Sequence, residues 1–228
     1  MKRFYILLLV LLSSCNALLG EKPVSILQAS ACRLPCWNNI RPGETTEKDV
    51  LNFLESSEVI DQDSIQIDDQ PRNIFDNHIF FSLRQQWSLD PHPKVRADLY
   101  IIDNIVSDLI VCGDLGIAIN DIVDAIGEPE YILSGDNLTG SRTVILLNPQ
   151  DGVSYSYDTA NLPESRMYEL ASDIKVICLN LFDLAIYINL MEIGFFSSGH
   201  YNVEETLRVM YPWDGYGNLD EKYPPRQP

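Results

Sequence analysis

The sequence predicts an α+β protein built as two tandem helix-plus-antiparallel-sheet repeats behind a cleaved N-terminal leader. Three observations predict it. A short apolar run stops just before Cys15. Two amphipathic helical stretches, near residues 46–54 and 119–126, begin about seventy residues apart. Each is followed by short β-rich runs separated by turn-forming residues.

The leader comes first. Lys2 and Arg3 precede the unbroken apolar stretch Phe4 to Leu12, followed by Ser13, Ser14 and Cys15. A basic start, a short apolar centre and small residues before a cut site describe a secretory signal. The apolar run is about half the roughly 20 residues a spanning helix needs, which favours cleavage over a transmembrane anchor. Leu12-Ser13-Ser14-Cys15 resembles the bacterial lipobox, so residues 1–14 are expected to be removed and Cys15 lipidated. The rival reading is an ordinary secreted protein with an accidental cysteine at that place. A lipid on Cys15 would tether the chain to the cell envelope without inserting it. Residues 15–31 mix small, polar and apolar residues without a clean period and read as that tether.

Removing Cys15 leaves Cys32, Cys36, Cys112 and Cys178, an even set suited to an oxidising compartment. Of the three possible pairings, the local one, Cys32 with Cys36, is favoured: C-x₃-C with a proline inside makes a small staple just before the first folded element. Thioredoxin-like chemistry uses the shorter C-x-x-C, and a zinc site needs further ligands at matching spacing, so no metal is expected. Cys112 and Cys178 sit in the strand-like runs "LIVCGD" and "IKVICLNL" and are equally readable as a bridge or as two buried thiols.

With 16 basic and 33 acidic residues the chain carries a formal charge of −17. Nucleic acid would be repelled, and anionic lipid would not be held electrostatically. The acids are scattered, with a modest cluster at Asp61, Asp63, Asp68 and Asp69, as on a solvated surface. At 46% hydrophobic and 21% charged, the composition supplies ample core.

The elements follow in order. In the first repeat, residues 32–114, Pro42-Gly43 turns the chain, and Thr45 or Thr46 caps a helix whose apolar face is Val50, Phe53 and Leu54. Strand-like runs occupy Ser64 to Ile67, His78 to Leu83, Ala97 to Ile102 and Ile105 to Cys112, the last two joined by the hairpin pair Asp103-Asn104. In the second repeat, residues 115–200, Ile119, Ile122, Val123 and Ile126 form a helical face ended by Gly127 and Pro129. Strands are then expected at Glu130 to Leu133, Thr143 to Leu147, Val153 to Tyr157, Ile174 to Leu181 and Leu184 to Leu190. Residues 201–228 start with a short helix carrying Val203, Leu207 and Met210 on one face, and end in an extended Gly/Pro-rich aromatic tail.

Two segments carry a family resemblance. "IRPGETTEKDVLNFL" and "LGIAINDIVDAIGEPEYI" resemble the Pro-Gly-x-Thr…Val…Leu-Gly-x-Pro opening of small envelope lipoproteins of the SmpA/BamE type, whose fold is shared with the β-lactamase inhibitor protein, itself a tandem repeat. "CRLPCWNNIRPGETT" also resembles the start of bacterial lipoproteins with a Leu-Pro-Cys-Trp segment. Residues 40–54 match the Pro-Gly and Thr half and residues 115–131 the Gly-x-Pro half; neither copy holds the whole motif. The resemblance implies a binding or scaffolding fold that does no chemistry, and it names no partner.

Catalytic constellations are not evident. His78 lies in a strand-like run, His92 between two prolines, and His200 after Gly199; neither H-E-x-x-H nor G-x-S-x-G occurs. "GDNLTGSR", Gly135 to Arg142, spaces its glycines like a phosphate loop but has Ser141 where lysine is required, and reads as a hairpin loop. "DQDSIQIDD" lacks the central glycine and closing glutamate of a calcium loop. Asn137 begins a glycosylation sequon with little meaning in a bacterial lipoprotein. The residues with interface chemistry are Trp37, Tyr211, Trp213 and Tyr216, each also readable as packing at a core edge. The expectation is therefore a membrane-anchored extracytoplasmic lipoprotein that binds a protein partner, with no cofactor and no catalysis. The alternatives are an extracytoplasmic enzyme inhibitor presenting the Asp136 to Ser141 loop, and a hydrolase whose site carries no familiar motif.

Overall fold

The computed structural model describes residues 32–68, 77–83, 95–136, 140–183 and 210–225. The described residues begin with the Cys32–Cys36 disulfide, whose Cα atoms are 5.7 Å apart. Trp37 and Ile40 then exchange both backbone hydrogen bonds, at 2.9 and 2.8 Å, across Asn38 and Asn39, which take positive φ. Gly43 follows at φ +80°. A side chain there would strike the Asp183 carboxylate, so the Pro-Gly pair is required by close approach as well as by the turn.

Helix α1 (Glu47–Ser56) is capped by Thr46, whose hydroxyl accepts from the Asp49 N–H, and it buries Val50 and Leu54. Strands β1 (Ile60–Asp68), β2 (Asn77–Leu83), β3 (Arg96–Ile102) and β4 (Ile105–Cys112) follow. The β3–β4 hairpin turns on Asp103-Asn104, both at positive φ as a two-residue hairpin demands. Helix α2 (Ile119–Ile126) buries Ile119 and Ile122; the Asp121 carboxylate accepts from the Ala118 N–H at 2.7 Å, and Gly127 ends the helix. Then come β5 (Tyr131–Asp136), β6 (Arg142–Asn148), β7 (Val153–Asp158), β8 (Glu169–Leu170), β9 (Cys178–Phe182), β10 (Tyr211–Pro212), β11 (Gly217–Asn218) and the one-turn helix α3 (Leu219–Lys222), capped by Asn218.

The strand order overturns the two-repeat expectation. Nine strands form a single antiparallel sheet in the order β1-β2-β3-β4-β9-β7-β6-β5-β10, with β8 and β11 making a separate ribbon. Each helix is indeed followed by antiparallel strands, but β9 lies between β4 and β7 and pairs with both, Cys112 opposite Cys178 on one side and Ser156 opposite Cys178 on the other. The edges that would bound two separate sheets are thereby consumed, leaving one large sheet with three short helices among the described residues. Periodicity reports that a strand exists; it does not report which two neighbours its backbone groups join.

The strand expected over Ile174 to Leu181 starts only at Cys178. Its first part runs beside the start of α2 instead: the Val176 N–H donates to the Ile117 carbonyl and the Ile119 N–H to the Ile174 carbonyl, burying Ile174 and Val176. The strand expected at Leu184 to Leu190 and the helix expected from Val203 lie outside the described residues. Cys112 and Cys178, open between bridge and free thiols in the sequence, form a disulfide across the β4–β9 seam with Cα atoms 4.1 Å apart.

One face of the sheet holds the core. Ile79, Phe81, Leu99, Ile101, Leu109, Val111, Leu179, Leu181, Val144, Leu146 and Tyr155 pack into one cluster with Val50 and Leu54 of α1 and Ile119 and Ile122 of α2. On the opposite face the alternate residues are mostly half-buried, and Leu147, Phe182 and Met210 make a small second cluster. Gly152, at φ +62°, closes the β6–β7 turn where its Cα meets the Phe182 carbonyl; a Cβ would sit 2.2 Å from that oxygen.

Candidate functional site

The second face of the sheet gathers aromatic and charged side chains. On β3, Arg96, Asp98 and Tyr100 alternate with the buried Ala97, Leu99 and Ile101, so the three project together away from the core. Register extends this row sideways: His78 lies opposite Tyr100 and Phe80 opposite Asp98 on β2, while Tyr100 faces Asp108 and Asp98 faces Ile110 on β4. Asp108 and Ile110 in turn face Phe182 and Asn180 of β9.

These side chains lock one another. The His78 ring stacks on Tyr100 with centroids 4.4 Å apart and planes within 5°, and meets Phe80 edge-on at 4.8 Å. Asp98 receives both the His78 imidazole at 3.2 Å and the Arg96 guanidinium at 2.8 Å, and Arg96 also lies over the Phe80 ring at 5.4 Å. Burial raises the Tyr100 hydroxyl pKa, and the neighbouring Asp98 and Asp108 carboxylates raise it further.

Asp108 is the unusual member, a carboxyl only 6% exposed. Burial pushes its pKa up to about 7; the adjoining Ser107 and Asn180 side chains oppose that rise, and the nearby Asp183 carboxylate adds to it. A bulge sets up this surrounding. The pairing steps from Tyr100–Asp108 to Ile101–Val106, so Ser107 is the extra residue, its hydroxyl donating to the Tyr100 carbonyl at 3.1 Å. The Asp183 N–H donates to the Ser107 carbonyl, and the Gly43 N–H donates to the Val106 carbonyl. Thus the bulge of β4, the end of β9 and the turn leading into α1 meet at Asp108. The arrangement offers a rigid aromatic and charged surface, and one group that changes protonation near neutral pH.

The residues expected to contact a partner divide. Trp37 is 2% exposed, edge-on to Phe53 at 6.0 Å and stacked against Phe81 at 6.3 Å, which assigns it to the core rather than to an open surface. Tyr211, Trp213 and Tyr216 are brought together, and Tyr223, not singled out from the sequence, is the buried residue that gathers them. Trp213 meets Tyr216 at 5.3 Å and Tyr223 at 6.3 Å, and Tyr211 meets Tyr223 at 6.0 Å. The Tyr223 hydroxyl donates to the Gly215 carbonyl and accepts from the Asp214 N–H. The tail therefore folds back as a strap, with β10 paired to β5 and the aromatics packed on the core.

His78 lies on β2 as expected; His92 and His200 lie outside the described residues. The run from Asp61 to Asp68 is part of β1. Gly135 to Arg142 spans the β5–β6 hairpin, with Asp136 opposite Arg142; Asn137 lies outside the described residues. Asp108 and Asn180 were not singled out from the sequence, although a lone carboxylate inside "IVSDLIVC" and a lone amide inside "CLNLF" are the available signals. No family model, curated protein or solved structure matches the chain, so the reading of this surface rests on its own geometry.

Proposed function

We propose that the chain is an extracytoplasmic module, tethered to the cell envelope through a lipid on Cys15, that binds a protein partner through the second face of its sheet and performs no chemistry of its own. The observation that carries this reading is the locked row His78, Phe80, Arg96, Asp98 and Tyr100. Stacking and ion pairs hold these side chains before any partner arrives, which reduces the entropy lost on binding, and aromatic and arginine side chains are the residues that anchor interfaces. The two disulfides support an oxidising, extracytoplasmic setting. The leader and Cys15 supply the tether, since the scattered acidic charge gives no electrostatic hold on anionic lipid.

The test is crosslinking in native membranes with the full-length chain, its Cys15→Ser form and a His78→Ala/Tyr100→Ala form. Enrichment of one envelope protein by the parent, lost in the double variant and weakened in Cys15→Ser, is the expected result. Equal enrichment by the parent and the double variant would remove the sheet face from the binding site.

A further inference from the structure

A separate cleft lies at the 3₁₀ turn Glu164–Arg166 and the β8–β11 ribbon, away from the row on β2 and β3. Its volume is about 430 Å³, within the range of small-ligand sites, and it is lined by Glu164, Ser165, Met167, Tyr168, Glu169 and Asn218. Tyr168 is 44% exposed, one of three large apolar side chains left open among the described residues.

The walls are fixed. Arg142 lies over the Tyr168 ring at 5.2 Å and is itself pinned by Asp136 at 2.8 Å and Asp220 at 2.6 Å. The Tyr168 carbonyl accepts from the Leu219 N–H at 2.8 Å, tying the platform to α3. Arg166 grips Glu169 at 2.6 Å and Asp173 at 2.6 and 3.0 Å, so the Glu169 carboxylate is held in place. Asn218 spends its side-chain oxygen on the Asp220 and Glu221 N–H groups, which leaves its amide nitrogen as the donor.

The chemistry of this lining selects among ligands. An anion is disfavoured by Glu164 and Glu169. A cation would find Glu169 already paired with Arg166 and would share the Tyr168 ring with the Arg142 guanidinium. What fits is a neutral ligand with an apolar C–H face for the aromatic ring and paired hydroxyls that donate to carboxylates and accept from an amide. We infer that the cleft at Tyr168 binds a hexose unit of a neutral oligosaccharide, stacked on the exposed face of the ring and hydrogen-bonded to Glu164, Glu169 and Asn218.

The test uses the mature chain with both disulfides formed, titrated with maltotriose, cellotriose and chitotriose while amide NMR signals are followed. At least one trisaccharide is expected to bind and to shift residues 164–169 and 217–218. Tyr168→Ala should weaken that binding by about tenfold, which corresponds to about 1.4 kcal/mol, whereas Tyr168→Phe should retain it. Tyr168 is exposed, so neither variant threatens the fold, and unchanged spectra elsewhere check this. The inference is overturned if none of the three sugars shifts these signals, if Tyr168→Ala binds as the parent does, or if trilysine binds the cleft and the sugars do not.

Discussion

Asp108→Asn should remove most of the dependence of stability on pH between 5 and 8. An ordinary aspartate titrates at 3.8, and burial moves Asp108 to about 7. The folded state therefore holds a proton that the unfolded state releases, so stability from this group is complete below about pH 4 and falls as pH rises toward 7. At 1.36 kcal/mol per pH unit, the gap between 3.8 and about 7 amounts to about 4 kcal/mol in total, of which roughly 2.5 kcal/mol is lost between pH 5 and pH 8. The amide keeps the shape of the carboxyl and cannot ionise. Urea unfolding of the oxidised parent and variant at pH 5 and pH 8 measures the difference. Self-repulsion of the −17 chain also grows with pH, but it acts on both proteins, so the difference between their slopes isolates Asp108. Equal losses in the two proteins would refute an ionisation cost at this site.

The two disulfides should differ in worth because they close different loops. Replacing Cys112 and Cys178 by serine, which opens a separation of 66 residues, is expected to cost about 4 kcal/mol, and the same change at Cys32 and Cys36, separated by 4, about 2 kcal/mol; denaturant midpoints would rank them. Gly152→Ala combines a left-handed backbone with a Cβ 2.2 Å from the Phe182 carbonyl and should lower stability by about 3 kcal/mol, read as a drop in the thermal midpoint. Trp37→Ala should cost about 3–5 kcal/mol by the same measurement, since it empties a buried site between Phe53 and Phe81; a near-neutral result would return Trp37 to the surface.

The local elements were largely legible. The Thr46 cap, the Asp103-Asn104 hairpin and the Gly127 stop are each set by short-range chemistry, and the structure places each where the residues indicate. The long-range pairing was not. Nothing in "VICLNL" distinguishes a strand at an edge from one joined on both sides, and the decision falls to β4 and β7, whose backbone groups each gain a partner only if β9 enters between them. The candidate site was legible in the same uneven way. His78 stood out as a strand residue, but its stack on Tyr100 depends on β2–β3 register, and the protonation of Asp108 depends on a bulge that no local signal announces.

The same seam links fold to surface. β9 sets Phe182 opposite the buried Asp108 and Asn180 in hydrogen-bonding reach of it, carries the cysteine that closes the longer disulfide loop, and delivers Asp183 to the turn before α1. Withdrawing β9 would therefore expose Asp108, and its carboxyl would return toward an ordinary value. Ionisation of Asp108 and pairing of β9 thus oppose one another, so the seam should loosen first as pH rises. Hydrogen exchange follows it directly: the Leu109, Val111, Leu179 and Leu181 amides should lose protection between pH 5 and pH 8 beyond the intrinsic rate change, while the Leu99 amide, at the β2–β3 pairing, should not. The oxidised Cys112–Cys178 bridge limits how far the strands can part, which predicts a larger loss of protection in the Cys112→Ser/Cys178→Ser form. Uniform loss across the sheet in both forms would mean that Asp108 acts on global stability and not on the seam.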